Sequence, residues 1–351
     1  MKFPDRYEAT GVSGGGGMGE IYESIDRHLN RRVVFKMLRG GEEDRRLLDE
    51  QKALIKIRSK HVVQLFDIVV VENLGEVRTA LVLEHIDGHD LKLGSFKPGE
   101  PYLKTIWQVA CGLHEIHQHN IIHRDIKPNN IRVDAGGVVK ILDFGLARTS
   151  GLEAVTRSVI GTPGFMAPEL WGSAVVSFDE KIDVYAFGML ALTLLDTKNV
   201  PSELMHRPPK PLPKDSLNFL KTSLTSHVVD VLEKCLSHLP ANRPTMSDVE
   251  KVLRTHLLKD RHRGLIVLGQ KTHVINMASP APTVRYGKDH AIGINYDGFT
   301  FKVAKLQGEI SVNNTTLIVG NSLPDCCVIS LGPKTDRSFA TFDISNPEVM
   351  P

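Results

Sequence analysis

From Tyr7 to about Val71 the spacing of apolar positions changes twice: strand-like at first, helical over Glu42 to Arg58, then strand-like again. In the helical stretch Leu47, Leu54 and Ile57 fall near one face, and Glu42, Glu43 and Asp44 gather at its start, where the helix dipole favours negative charge. Glu50 lies close to that same apolar face. Thr79 to Glu84 reads as an apolar strand, and helical periodicity broken by loops dominates from about Tyr102 to Leu258. The longest apolar stretch, Val184 to Leu195, is interrupted by Gly188 and falls well short of the roughly 20 residues needed to span a membrane, so a buried core helix is expected. After Leu258 the pattern becomes short β-rich runs, Leu265 to Leu268, Phe299 to Val303 and Val328 to Leu331, punctuated by Gly, Asn and Pro. The charged stretch Lys259 to Arg263 marks the boundary, which predicts one domain over 1–260 and a small β-sandwich over 261–351. The proline cluster Arg207 to Pro213 has the spacing of a polyproline ligand, but helical patterns resume after it, and a rigid connection within the lobe is expected.

Length agrees with this division, because 351 residues are many for a single hydrophobic core. With 41% hydrophobic and 24% charged residues the chain has a globular profile, and a net charge of +2 without single-sign blocks gives no reason to expect nucleic acid or anionic lipid as a partner. The segment MKFPDRYEAT carries acids and no apolar run, unlike a secretory signal, so a cytoplasmic location is expected. Cys111, Cys235, Cys326 and Cys327 show neither CxxC nor zinc-ligand spacing and read as reduced thiols.

The candidate chemistry sits in short strings. Gly14, Gly16, Gly19 and Ile21 form GxGxxGxI between two β-like pieces, where backbone without side chains can close over phosphates. Val33 to Lys36 follows as a strand ending in a lysine. The string His123, Arg124, Asp125, Ile126, Lys127, Pro128, Asn129, Asn130 puts a carboxylate able to orient a hydroxyl, a lysine for the transferred phosphate and an amide ligand for magnesium in one loop. Asp143, Phe144, Gly145 and then Ala167, Pro168, Glu169 come next, and a solvated acidic loop explains one such string but not their order and spacing. His114, His117 and His119 lack the HExxH spacing of a zinc site and read as surface histidines.

Over about three quarters of its length the chain resembles the eukaryotic-like protein kinases, and more closely their bacterial serine/threonine members. The resemblance implies an α+β bilobal fold, with a β-rich N-terminal lobe and a helical C-terminal lobe, that uses ATP and Mg2+ to phosphorylate proteins. By the same resemblance Asp125 is the catalytic carboxylate and Lys127 contacts the γ-phosphate, while Asn130 and Asp143 bind magnesium. Lys36 holds the nucleotide phosphates with Glu50 as its partner, Glu84 to Ile86 form the adenine hinge, and Leu83 is the gatekeeper. Asp183 braces the catalytic loop, and Glu169 pairs with Arg243 to anchor the substrate-binding segment Gly161 to Glu169. Val34 stands where the family has alanine against the adenine, Ala186 replaces a small polar residue, and Arg132 stands where an aliphatic side chain underlies the ring. A kinase-fold binding module would lack a phosphate or metal ligand, and small-molecule phosphotransferases generally lack the APE segment; this chain has both sets of residues. Lys127 and Thr162 match the serine/threonine subgroup, and Thr156, then Ser158, are the expected autophosphorylation sites. Ser311 to Leu317 and Val328 to Gly332 resemble the closing strands of fork-head-associated domains, without that family's phosphate-binding elements. Asn313 and Asn314 read as turn residues, and a regulatory or partner-binding role is expected for this region.

Overall fold

The structure is a computed structural model that describes residues 3–16, 19–37, 42–73, 76–149, 155–156, 164–172, 176–177, 179–195 and 200–347. The chain divides into two compact units, Met1–Val252 and Leu253–Pro351.

The first unit begins with a five-stranded antiparallel sheet built from β1 (Tyr7–Gly16), β2 (Gly19–Asp26), β3 (Arg31–Met37), β4 (Leu65–Asn73) and β5 (Glu76–Glu84), in the order β1-β2-β3-β5-β4. Period-2 alternation decides what each strand buries. Val33, Phe35 and Met37 enter the sheet's own core with Tyr7, Ala80 and Val82, which leaves Val34 and Lys36 on the opposite face. Helix α1 (Glu42–Lys56) lies between β3 and β4 in the chain, and its buried stripe Glu50, Ala53, Leu54 continues to Ile57. That stripe has the i, i+3, i+4, i+7 spacing of one helix face, with a carboxylate at its head.

Next come β6 (Gly88–Asp90), α2 (Glu100–Gln118), β7 (Ile121–Ile122), a 3-10 turn at Pro128–Asn130, β8 (Ile131–Asp134), β9 (Val139–Ile141), β10 (Arg148–Thr149), β11 (Val155–Thr156) and β12 (Val176–Ser177). Helices α3 (Lys181–Leu194), α4 (Ser202–Met205), α5 (Ser226–Cys235) and α6 (Met246–Leu257) complete the helical part. In α3 every residue from Ile182 to Leu194 is buried, as its near-continuous apolar sequence requires. No helix among the described residues is long and apolar enough to cross a membrane.

All elements from Gly264 to Ile344 are strands: β13 (Gly264–Leu268), β14 (Lys271–Ile275), β15 (Thr283–Tyr286), β16 (His290–Tyr296), β17 (Phe301–Gln307), β18 (Ile310–Val312), β19 (Thr315–Thr316), β20 (Cys326–Leu331) and β21 (Ser338–Ile344). They form a six-stranded sheet, β14-β13-β21-β20-β18-β19, and a three-stranded sheet, β15-β16-β17. One core holds Ile266, Ile329 and Phe342 from the first together with Val284, Ile292 and Val303 from the second. Asn313 and Asn314, with φ of 48° and 65°, make the two-residue turn between β18 and β19, a conformation that asparagine tolerates better than most residues.

Buried ionisable groups make the fold acid-sensitive. Burial holds His61 down at about 4, against the ordinary 6.5, while its Nδ1 donates to the carbonyl of Val139 at 3.0 Å. His262 in the second unit is likewise pushed down to about 4 by burial. Because the unfolded chain takes up these protons first, the stability held above pH 6.5 is lost as pH falls from 6.5 towards 4. Asp26, held at about 2 by its hydrogen bond from Arg6, adds a second loss below pH 3.8. Urea midpoints measured from pH 7 to 4.5 are expected to fall for the parent protein and to fall less steeply for His61→Asn.

Candidate active site

Strand β3, helix α1 and the loop after β9 bring the first group of charges together. Lys36 projects from the face of β3 opposite the sheet core, and its Nζ donates to Glu50 Oε2 at 2.7 Å and to Asp143 Oδ1 at 2.6 Å. Glu50 is fully buried on the α1 stripe, so burial raises its pKa against the opposing pull of Lys36. Asp143 also pays for partial burial, but Lys36 outweighs it and holds the carboxyl below the ordinary range. Lys36, whose burial by itself favours the neutral amine, is kept charged by the two carboxylates. The cluster therefore has an excess of negative charge, with Asp143 turned towards a cavity.

That cavity has a volume of about 830 Å³. Ile21 and Val34 line it from the sheet, Leu83, Glu84 and Ile86 from the end of β5 and beyond, and Lys127, Asn130, Arg132 and Asp143 from the other side. Leu142, one residue before Asp143, also lines it and was not singled out from the sequence, since a single leucine carries no distinguishing signal. Gly14, Gly16 and Gly19 lie in the β1–β2 hairpin, with Gly14 opposite Ile21 and Gly16 opposite Gly19.

A second group forms around the turn at Pro128–Asn130. Lys127 Nζ donates to Asp125 Oδ2 at 2.7 Å, while Asn130 Nδ2 donates to the Asp125 carbonyl at 2.8 Å and to its Oδ2 at 2.9 Å. Both amide hydrogens of Asn130 are thus directed at Asp125, and its amide oxygen is left as an acceptor. Asp183, fully buried on α3, accepts from the backbone N–H of His123 and of Arg124, each at 2.8 Å. These bonds hold Arg124 at φ 72°, a left-handed conformation costly for arginine. The Glu169–Arg243 pair is bidentate, at 2.6 and 2.8 Å, with the Arg243 side chain fully buried.

Two expectations need correction or completion. His117 is not a surface histidine: it is buried, and its Nε2 lies 3.0 Å from Asp183 Oδ2. Burial raises the Asp183 carboxyl, but His117, His123 and the backbone N–H of Arg124 together outweigh it and the net shift is downward. Only the fold brings α2 against α3, so nothing in the local spacing of His117 announced the contact. Glu84 adds a second contact, accepting from Lys140 Nζ at 2.9 and 3.0 Å and so tying the end of β5 to β9. Thr156 lies in β11, its backbone opposite Val176, while Ser158 and Thr162 lie outside the described residues.

Arg132 resolves the conflict between a charge and an apolar slot. Arg132 lines the cavity, and its Nη2 donates to the Gly88 carbonyl at 2.8 Å, with Nη1 3.7 Å from Asp90 Oδ1. Gly88 is only half-buried, so water can replace the guanidinium there. Arg132→Leu is therefore expected to lower the KM for ATP a few-fold at nearly constant kcat, as steady-state kinetics over a range of ATP concentrations will show.

A family model described as protein kinase domain matches residues 7–255. The chain is 31% identical over 202 residues to the serine/threonine-protein kinase PrkC of Bacillus subtilis, covering 54% of this chain and 30% of that protein. It is 34% identical over 205 residues to the serine/threonine-protein kinase drp72 of Corynebacterium efficiens, covering 55% and 39% respectively. It is also 33% identical over 202 residues to cyclin-dependent kinase-like 2 of Rattus norvegicus, covering 54% of this chain and 34% of that protein. The chain thus spans between 30% and 39% of the length of these relatives.

Proposed function

Because this chain belongs to the protein kinase family, we propose that it is a serine/threonine protein kinase that uses ATP and magnesium to phosphorylate protein hydroxyls. The observation that carries this reading is the linked cluster of Lys36, Glu50 and Asp143 at a cavity that Lys127 and Asn130 also line, both of them bonded to Asp125. Loss of a phosphate or metal ligand, which would favour a kinase-fold binding module, is not found. The paired Glu169 and Arg243 support a protein acceptor over a small molecule.

The donor set suits magnesium, a hard cation that prefers oxygen: the Asp143 carboxylate and the free amide oxygen of Asn130 would hold it. When bound, magnesium neutralises charge on the phosphates. Lys36, steadied by Glu50, positions the α- and β-phosphates, and the wall formed by Ile21, Val34, Leu83 and Ile86 takes the adenine. Asp125 accepts a hydrogen bond from the acceptor hydroxyl and orients it in line with the γ-phosphate. Lys127, 2.7 Å from Asp125, offers its positive charge to the oxygens of the transferred group. Transfer of labelled γ-phosphate to a generic protein acceptor, dependent on magnesium and abolished by chelation, is the direct test; no transfer under either condition would refute the reading.

The strands from Gly264 to Ile344 are read as a small β-sandwich domain that regulates the kinase or recruits a partner. Autophosphorylation on Thr156, with Ser158 second, remains part of the proposal, because a phosphate on this loop can neutralise arginine beside the catalytic carboxylate. Mass spectrometry is expected to find phosphate on Thr156 in the active enzyme and not in Asp125→Asn, with lower activity in Thr156→Ala.

A further inference from the structure

On the reading that Gly164 to Glu169 belongs to the segment that docks a peptide substrate, we propose that Arg207 selects substrates carrying an anionic group close to the acceptor hydroxyl. Arg207 follows α4 and is exposed, yet its guanidinium is held in place rather than free to wander. Nη1 donates to the carbonyls of His206 at 2.7 Å and Leu204 at 3.3 Å. The guanidinium carbon stands 5.9 Å from the centre of the ring of Trp171, the last residue of the 3-10 turn that contains Glu169. Nη2 lies 3.8 Å from where a Cβ on Gly164 would be, so a side chain at that position would meet the guanidinium in ordinary van der Waals contact. Glycine there leaves the face of the docking segment open and the charge next to it.

Among the described residues the charge is also uncompensated: Arg207 bonds only to carbonyl oxygens there, and no carboxylate lies within ion-pair distance of it. Glu169, the acid of the docking segment, is already engaged in both directions by Arg243. Glu203, one turn earlier, accepts from the Ser202 hydroxyl at 3.3 Å. Lys210 is exposed on the same connection and adds positive potential. A guanidinium anchored through one nitrogen keeps its remaining N–H groups in a fixed fork, the geometry that recognises carboxylate or phosphate oxygens. The ligand is therefore an anion on the substrate peptide, whether an aspartate or glutamate side chain or a phosphate placed there by an earlier phosphorylation.

The test uses the full chain and a peptide set with one acceptor hydroxyl, flanked in turn by acidic, phosphoserine, neutral or basic residues. The parent protein is expected to favour the acidic over the neutral peptide by about tenfold in kcat/KM. In Arg207→Gln that ratio should fall to about one; in Arg207→Glu it should invert in favour of the basic peptide, and Arg207→Lys should retain part of it. A phosphoserine peptide preferred over its aspartate counterpart would identify phosphate as the source of the anion, and the reverse order would identify the carboxylate. Equilibrium binding of the labelled acidic and neutral peptides to Asp125→Asn protein reads the same preference without turnover. Transfer to a generic acceptor protein, run alongside, reports on the kinase reading separately. Equal turnover and equal binding of acidic and neutral peptides, or a preference unchanged in Arg207→Gln, would overturn the assignment to Arg207.

Discussion

Asp143→Asn is expected to lower phosphoryl transfer by a factor on the order of a hundred or more, and Lys36→Met and Asp125→Asn should each do the same. The reason differs for each residue. Asp143 carries a carboxylate kept ionised by Lys36 at 2.6 Å, and an amide of the same shape offers a cation one neutral oxygen in place of a charge. Lys36→Met removes the cation between two carboxylates, leaving the fully buried Glu50 without this counter-charge and, on the proposed mechanism, the nucleotide phosphates without a positive partner. Asp125→Asn keeps the bonds to Lys127 and Asn130 within reach but weakens the group proposed to orient the acceptor hydroxyl. Initial rates at saturating ATP and magnesium, together with nucleotide binding to each variant, separate these roles: Asp125→Asn should still bind nucleotide, and Lys36→Met should bind it more weakly. Full turnover in Asp143→Asn would contradict the mechanism.

Asp183→Ala is expected to damage stability and activity together. This carboxylate is fully buried and accepts from two backbone N–H groups and from His117, so its removal strands three polar groups where water does not reach. Breaking such a network costs about 3 to 5 kcal/mol. For a unit of this size that corresponds to a fall in Tm on the order of 10 °C. It also releases Arg124 from its left-handed conformation, and Arg124 directly precedes Asp125, so kcat should drop at least tenfold even at temperatures where the variant is folded. Asp183→Asn, which retains the volume but can accept from fewer donors, should fall between the two. Thermal unfolding monitored by circular dichroism, with rates measured well below the variant's Tm, distinguishes a displaced loop from an unfolded protein. A variant with parental Tm and parental kcat would show that the loop holds its shape without this carboxylate.

The sequence by itself determined which polar groups meet wherever the residues are close along the chain. Asp125, Lys127 and Asn130 share one turn because a 3-10 segment opened by Pro128 brings residues two to five positions apart within hydrogen-bond reach. Lys36 and Glu50 were legible for a related reason: strand alternation turns Lys36 away from the sheet core, and helical spacing puts Glu50 on the buried stripe of α1. The β-rich character of the region after Leu258 was equally plain, since short apolar runs between turn residues carry their period with them. Tertiary structure alone decided the contacts between distant elements. That His117 serves Asp183, that Lys140 reaches Glu84 and that Arg207 stands against Gly164 all depend on how helices, strands and loops pack, and a residue's local spacing contains no record of its partner 43 to 66 positions away. The same holds for the Arg132 head group, whose direction was set by a carbonyl at Gly88 that pairing of β6 with β8 places beside it. Local periodicity reports which face of an element is buried; only the packed fold says what that face meets.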